Sequence, residues 1–165
     1  MDIIKNQTTI MTNELGLPVK ETESLVNDLN ILLSNYQIYY QNLRGLHWNI
    51  KGKRFFDLHV KFEEFYNDSQ IKIDSIAERV LTLGGNPLHT FEDYIIHNKL
   101  SVGKNISNDE KAVELILHSL GALLLIERKI LNDSDAINDE GTNSMMSDFI
   151  AEQEKTMWML KAWLQ

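Results

Sequence analysis

Two pairs of metal-binding side chains stand out in the second quarter of the chain, His59 with Glu63 and Asp74 with Glu78. The members of each pair are four positions apart, so they would lie side by side on the surface of a helix. One imidazole with several carboxylates is the ligand set that suits iron, manganese or zinc. The chain contains no cysteine, which excludes thiolate sites and disulfide bonds. A transition metal would therefore be held by His, Asp or Glu.

The two pairs are too far apart to bind one ion within a single chain. His59 and Glu78 are nineteen positions apart, which is about 28 Å along a helix at roughly 1.5 Å per residue. Two copies of this helix packed antiparallel about a two-fold axis would bring the first pair of one chain to the second pair of the other. The spacing therefore predicts two identical sites in a dimer.

The helix that carries both pairs is expected from about Arg54 to Leu83, where Gly84-Gly85-Asn86-Pro87 ends it. Placed about 100° apart around the helix axis, its large apolar side chains form one stripe that packs into a bundle. The opposite, charged side is expected to face water and contains Asp57, Lys61, Glu64, Asp68, Lys72 and Arg79. The ligand pairs share a flank between these two faces with Phe56, Val60, Ala77 and Leu81. This second apolar flank predicts that the helix is also buried against a partner.

Three further long helices are expected, near Lys20–Arg44, from Ser107 to about Leu131, and from the end of a polar loop over Asn132–Gly141 to about Leu164. Gly45 and Gly52 are expected to loosen the chain after the first of them. Residues 88–106 form a long connection with a short helix starting near Thr90, and residues 1–18 are expected to be a flexible tail. No segment has the pattern of a strand. The prediction is one all-α domain over residues 1–165, a four-helix bundle with a long crossover between helices 2 and 3.

Length and charge narrow the class of protein. The 165 residues suffice for one hydrophobic core. The net charge of −8 disfavours nucleic acid as a partner, because phosphate binding needs clustered Lys and Arg. Residues 1–20 contain only Lys5 and Lys20 as cations, so DNA binding through a basic tail is not expected. The sequence shows neither a long apolar run nor a secretory signal, which favours a cytoplasmic protein without a membrane span.

Spacing alone leaves two interpretations of the ligand pairs open. Charged residues four positions apart are common on solvated helices, and such pairs are usually structural. His59 on an apolar flank could equally be a hydrogen-bonded interior histidine. The helical pattern explains why two chains would be needed, but it does not establish iron.

A longer sequence pattern around the two pairs narrows these interpretations. It reads His47-Trp48-Asn49-(x)2-Gly52-(x)2-Phe55-(x)2-Leu58-His59-(x)3-Glu63-(x)2-Tyr66, followed by Asp74-(x)3-Glu78-Arg79 and Gly84-Gly85-Asn86-Pro87. This run resembles the Dps family of mini-ferritins, and the likeness extends to Trp158-Met159-Leu160-Lys161-Ala162-Trp163 near the end of the chain. The resemblance implies a ferritin-like hollow dodecamer that oxidises Fe(II), preferentially with hydrogen peroxide, and stores ferric mineral. Zinc is a plausible substitute for iron.

The resemblance also implies a ligand set at a two-fold interface. His47, His59 and Glu63 would come from one subunit, and Asp74 and Glu78 from its neighbour. The family usually has Asp at the position of Glu63, so the longer side chain here could change the spacing or affinity of the metal.

The family's tryptophan beside this site is matched by Trp48, which is expected to absorb oxidising equivalents or to act as a core anchor. The tyrosines Tyr36, Tyr39, Tyr40 and Tyr66 could relay electrons, although packing is their more common role.

Other acidic and histidine residues receive weaker assignments. Asp135, Asp139 and Glu140 are expected to line an iron-entry pore of the kind found in the family, with a solvated loop as the competing interpretation. Glu114 and His118 share the polar side of the third helix and are expected to be a solvated pair. His89 and His97 are assigned no metal role.

Three functions therefore compete. The first is a peroxide-consuming ferroxidase and iron store. The second is a nucleoid protein of the same fold whose main role is DNA compaction. The third is a helical assembly protein in which the metal site is only structural.

Overall fold

The subunit is built entirely from helices in the part of the chain that the computed structural model describes, residues 11–165. Its elements are α1 (Val19–Asn49), α2 (Phe55–Thr82), α3 (Phe91–His97), α4 (Asp109–Ala136) and α5 (Glu140–Trp163). Helix α1 packs on α2 and α4, α4 packs on α5, and the short α3 lies against α1. The predicted all-α bundle is confirmed, as is the short helix within the long crossover between α2 and α4.

The apolar stripe of α2 packs into the bundle as predicted. Leu58, Phe62, Ile76 and Val80 are almost completely buried. Burial of each such side chain is worth about 1.5–3 kcal/mol, so the stripe fixes the rotation of α2 about its axis. The flank that carries the ligand pairs is thereby directed away from the core of its own subunit.

The predicted end of the first helix at Arg44 is wrong, because α1 continues through Gly45 to Asn49. A glycine inside a helix costs only about 1 kcal/mol relative to alanine. The apolar side chains of Leu43, Leu46 and Ile50 are buried on both sides of it, and their packing outweighs that cost. His47 therefore lies on the last turn of a helix rather than in a loop.

The predicted loop over residues 132–141 is also wrong, since only Ile137–Asp139 separate α4 from α5. Ile137 is buried and closes the end of the core. The Asp139 carboxylate accepts a hydrogen bond from the Thr142 backbone N–H at 3.1 Å and caps α5. Capping by Asp139 allows α5 to begin two residues earlier than a loop ending at Gly141 would.

The expectation of a flexible tail over residues 1–18 is corrected in part. Residues 11–18 form a turn in which the Val19 N–H donates to the Met11 carbonyl and Asn13 donates to the Leu17 carbonyl. The Asn13 side chain also accepts from the N–H of Leu15 and of Leu17. Residues 1–10 lie outside the described part of the chain. Across residues 11–165, no helix combines the length and apolar character needed to cross a membrane.

Candidate metal centre

The end of α1 and the start of α2 place two histidine rings face to face. The ring centroids of His47 and His59 are 3.7 Å apart, with 19° between the ring planes. Nδ1 of His47 lies 2.7 Å from the carbonyl oxygen of His59, and Nδ1 of His59 lies 2.8 Å from the carbonyl oxygen of His47. A carbonyl can only accept, so each Nδ1 carries the hydrogen. In the tautomer with this hydrogen, the lone pair of each ring lies on Nε2, which is the atom that would bind a metal.

Aromatic neighbours hold this stacked pair in place. The Phe55 ring stacks on His59 at 4.9 Å between centroids. The Tyr66 ring meets His47 edge-on, at 5.4 Å and 85°. His47 is only 9% exposed, so its orientation is set by packing as well as by hydrogen bonding.

Glu63 lies one helical turn after His59 on α2, and its side chain is exposed. The Tyr66 phenol is three positions further along the same helix. Burial raises the pKa of the Tyr66 phenol, and the neighbouring Glu63 carboxylate raises that pKa further. The phenol is therefore protonated at neutral pH and lies beside two of the predicted ligands, His47 and Glu63.

The second predicted pair lies near the other end of the same helix. Asp74 and Glu78 are both exposed, and α2 runs without interruption from Phe55 to Thr82. No group of three or more His, Asp or Glu side chains within residues 11–165 is arranged to hold a metal ion. The subunit thus brings His47 together with His59, but it keeps Asp74 and Glu78 away from them.

The flank of α2 that carries the two predicted ligand pairs also exposes large apolar side chains. Phe56 is 81% exposed, Val60 53% and Leu81 56%. A soluble protein rarely leaves a large contiguous apolar surface uncovered. This exposure agrees with the sequence-based expectation of a second buried face on α2.

Trp48 follows His47 directly and is 57% exposed. The interpretation of Trp48 as a core anchor of its own subunit is therefore wrong. The Arg44 guanidinium lies over its ring, 4.8 Å from the centroid, and also over the Tyr40 ring at 5.3 Å.

Comparisons with known proteins agree with this architecture. Residues 26–165 match the family model described as a ferritin-like domain. The chain is 36% identical over 148 residues to a DNA protection during starvation protein of Porphyromonas gingivalis, covering 90% of this chain and 93% of the relative. The chain belongs to the Dps family.

Solved Dps structures share the fold of this Dps chain closely. The Dps protein of Vibrio cholerae O1 superposes with a TM-score of 0.91 at 45% identity, covering 93% of this chain and 97% of that one. It is described as a member of a superfamily of ferritin-like diiron-carboxylate proteins. The Dps protein of Bacillus brevis superposes with a TM-score of 0.86 at 29% identity, covering 94% and 100% of the two chains.

Two cations that were expected to face water are instead engaged in ion pairs. The Lys72 ammonium donates to Asp68 and to Glu152 on α5, and only 4% of the residue is exposed. Arg79 donates to Asp139 and Thr142 at the start of α5. On a helical wheel Lys72 lies next to Phe65, at the edge of the apolar stripe, which is the signal that could have indicated its burial.

A buried polar cluster in the bundle of this Dps subunit was not predicted. Tyr36 donates its hydroxyl hydrogen to Glu127 at 2.7 Å, and the Gln153 amide donates to both residues. Oε2 of Glu127 and Oε1 of Gln153 have no hydrogen-bond partner. No spacing signal links these residues, since α1, α4 and α5 each supply one.

The other acidic and histidine residues singled out in the sequence differ in their solvent exposure. Glu114 and His118 are exposed, as expected for a solvated pair. Asp139 is buried, paired with Arg79 and engaged in capping, so it has a structural role rather than the proposed place in a pore lining. Asp135 and Glu140 are exposed.

Proposed function

We propose that this Dps protein is a ferroxidase and iron store that oxidises Fe(II) with hydrogen peroxide at a site shared by two subunits. The observation that carries the proposal is the division of ligands along α2. Two imidazoles and Glu63 lie at one end of an exposed flank, and Asp74 and Glu78 lie at the other. An antiparallel pair of α2 helices would complete two such sites at once.

A single register of the two antiparallel α2 helices brings each predicted ligand opposite another ligand and each apolar side chain opposite another apolar one. Setting His59 opposite the partner subunit's Glu78 also sets Glu63 opposite the partner subunit's Asp74. The same register sets Phe56 opposite the partner subunit's Leu81, so an apolar side chain meets an apolar one. The register that pairs the predicted ligands is therefore the same register that pairs the apolar side chains. It places the two-fold axis between residues 68 and 69 of α2. This agreement supports the dimer independently of family likeness.

The chemistry of the proposed site follows from its donor atoms. The two Nε2 lone pairs are borderline donors that bind Fe(II), whereas carboxylate oxygens are harder and stabilise Fe(III) more than Fe(II). A site with three carboxylates therefore favours loss of an electron from the bound ion. Peroxide accepts two electrons, so oxidation of two ferrous ions converts it to water without releasing a hydroxyl radical.

Storage is the second part of the proposal. We infer a hollow dodecamer in which the product is kept as ferric mineral, in line with the family to which the chain belongs. Asp135 and Glu140 are exposed beside the short α4–α5 connection. They are suited to attract ferrous ions towards an entry pore, because clustered carboxylates raise the local concentration of cations.

The decisive experiment uses two variants that each remove one half of the site. His59→Ala and Glu78→Ala homo-oligomers should each oxidise Fe(II) at least about tenfold more slowly than wild type with stoichiometric peroxide, because the loss of even a residue that only hydrogen-bonds to a metal ligand costs about 10–100-fold. Subunits of the two variants are then mixed under dissociating conditions and reassembled. A mixed dimer contains one site with both substitutions and one intact site, so activity should return.

The matched control mixes His59→Ala with Glu63→Ala, which affect the same half-site. No mixed dimer of that pair contains an intact site, so its activity should stay low. Equal activity in both mixtures, or full activity of the His59→Ala homo-oligomer, would contradict the shared site.

A further inference from the structure

Two amide side chains lie in the middle of the flank of α2 that carries the predicted ligands. Asn67 and Gln70 are both exposed, and together with Asp74 they line one open cleft on the surface of α2. Asn67 lies one helical turn after Glu63, and Gln70 lies one turn before Asp74. Each amide is therefore the neighbour, on the helix surface, of one predicted carboxylate ligand.

The register proposed for the α2 pair brings these two amides face to face. It sets Glu63 opposite the partner subunit's Asp74, and one turn nearer the two-fold axis it sets Asn67 opposite the partner subunit's Gln70. We propose, on the basis of the proposed shared site, that this amide pair fixes the register of the two helices and orients the carboxylates beside it. The partner that Asn67 and Gln70 recognise is thus a second copy of this chain.

The chemistry of the amide group suits both tasks. An amide has one acceptor oxygen and an NH2 group with two hydrogens to donate. Two facing amides can therefore exchange a pair of hydrogen bonds, and each still has one hydrogen to donate to the carboxylate one turn away. Carboxylate ligands of metals are themselves commonly held by such hydrogen bonds. A neutral amide provides this bond without a positive charge that would repel the metal ion.

Slipped registers lose this pairing. A slip of four positions in one direction would set Gln70 opposite the partner subunit's Ile71, and the same slip in the other direction would set Glu78 opposite the partner subunit's Phe55. Either slip places a polar group against an apolar one, which is costly when the buried polar group has no hydrogen-bond partner. A single buried polar residue fixes the register of paired helices in coiled coils by the same means.

The first test replaces both amides with charges of one sign. In the proposed register, Asn67→Asp/Gln70→Asp places four carboxylates at the two-fold axis, and Asn67→Lys/Gln70→Lys places four ammonium groups there. Each variant alone should assemble at least about tenfold more weakly than wild type, because like charges that face each other at an interface repel. A mixture of the two variants should recover assembly through mixed pairs. Native mass spectrometry with one variant isotopically labelled measures both effects.

The matched control is Asn67→Gln/Gln70→Asn, which exchanges the two amides and should assemble as wild type does. Circular dichroism shows whether each variant is helical. Wild-type assembly of both charged variants on their own would overturn the proposal. So would two helical charged variants whose mixture stays apart.

The second test measures metal affinity and requires no iron oxidation. Co(II), which nitrogen and oxygen ligands bind somewhat more tightly than Fe(II), is titrated anaerobically and followed by its absorption. Asn67→Leu/Gln70→Leu should bind Co(II) about 10–100-fold more weakly than wild type, the usual cost of losing groups that hold metal ligands. The exchanged variant Asn67→Gln/Gln70→Asn should bind Co(II) nearly as tightly as wild type.

Unchanged Co(II) affinity in the leucine variant would overturn the proposal even if the charged variants do not fold. The proposed ferroxidase function is assessed separately, by iron oxidation in wild type. A wild type that binds Co(II) but does not oxidise Fe(II) would contradict the ferroxidase function alone, so the two failures are distinguishable.

Discussion

The carboxyl group of Glu127 lies at the centre of the bundle with no exposed surface. Burial raises its pKa above the ordinary value of 4.5, although hydrogen bonds from Tyr36 and Gln153 and the charge of Lys72 act in the opposite direction. A proton on Oε2, which has no hydrogen-bond partner, would turn that atom from an acceptor into a donor. The folded protein therefore holds this proton more tightly than the unfolded chain does.

This leads to a prediction for Glu127→Gln. Because the folded pKa exceeds the unfolded one, the contribution of Glu127 is fully present below about pH 4.5 and is lost as pH rises through the folded pKa. Wild type should therefore lose stability relative to Glu127→Gln over that window, by at most about 1.4 kcal/mol per pH unit. Thermal unfolding of both proteins across a pH series measures the difference. Glu114→Gln, an exposed change on the same helix, should show no such trend, and parallel curves for Glu127→Gln would contradict the prediction.

The positions that could be predicted from the sequence are those that follow from one helix alone, and the role of these residues as metal ligands stays a prediction. His59, Glu63, Asp74 and Glu78 share a flank because of helical geometry, and the spacing of that flank is visible in the sequence. Lys72 and Glu127 were missed because their environment depends on side chains from other helices. The reciprocal hydrogen bonds of His47 and His59 were also beyond prediction, since they need the exact approach of two backbones.

The bounds of the helices also divide into those that local sequence signals predict and those that depend on tertiary contacts. The start of α4 and the end of α2 were predictable from local signals, the Asn108 cap and the glycines after Leu83. Gly84 adopts a positive φ of 85°, which ends α2 at little cost because glycine lacks a side chain. The end of α1 and the α4–α5 connection were not predictable, because tertiary packing and a buried cap decide them.

The register proposed for the α2 pair makes a prediction that needs no iron. The chain has no cysteine, so introduced thiols are the only ones present. In Phe56→Cys/Leu81→Cys, thiols of neighbouring subunits should lie close enough for a short bismaleimide to join them. Covalent dimers should then appear on a denaturing gel.

The two single variants are the matched controls. In each of them the partner subunit's identical thiol would lie about 38 Å away, at roughly 1.5 Å per residue, so no dimer should form. Cross-linking in a single variant, or its absence in the double variant of correct assembled size, would rule out this register.

Charge governs what the whole molecule can attract. The net charge of −8 per subunit is multiplied in any assembly and favours cations over polyanions. Relatives include a DNA protection during starvation protein, so the question of DNA is a real one for this chain. Phosphate contacts need clustered Lys and Arg, and residues 1–20 offer only Lys5 and Lys20.

We therefore expect no retardation of linear DNA by the assembled protein in a gel-shift assay at low salt, where electrostatic binding is strongest. A matched variant with four lysines added before Met1 should retard the same DNA and confirm that the assay detects binding. A discrete, salt-sensitive complex with wild type would contradict this expectation.

The hydrogen bonds from the two histidine rings to main-chain carbonyls affect which substitutions at positions 47 and 59 the site can tolerate. Each ring is held by a main-chain oxygen of the other residue, and that oxygen is present whatever side chain the residue carries. Replacing one histidine removes one donor atom but leaves the other ring its anchor. A chain that carried only one of the two histidines would therefore still hold the remaining imidazole at a fixed main-chain acceptor.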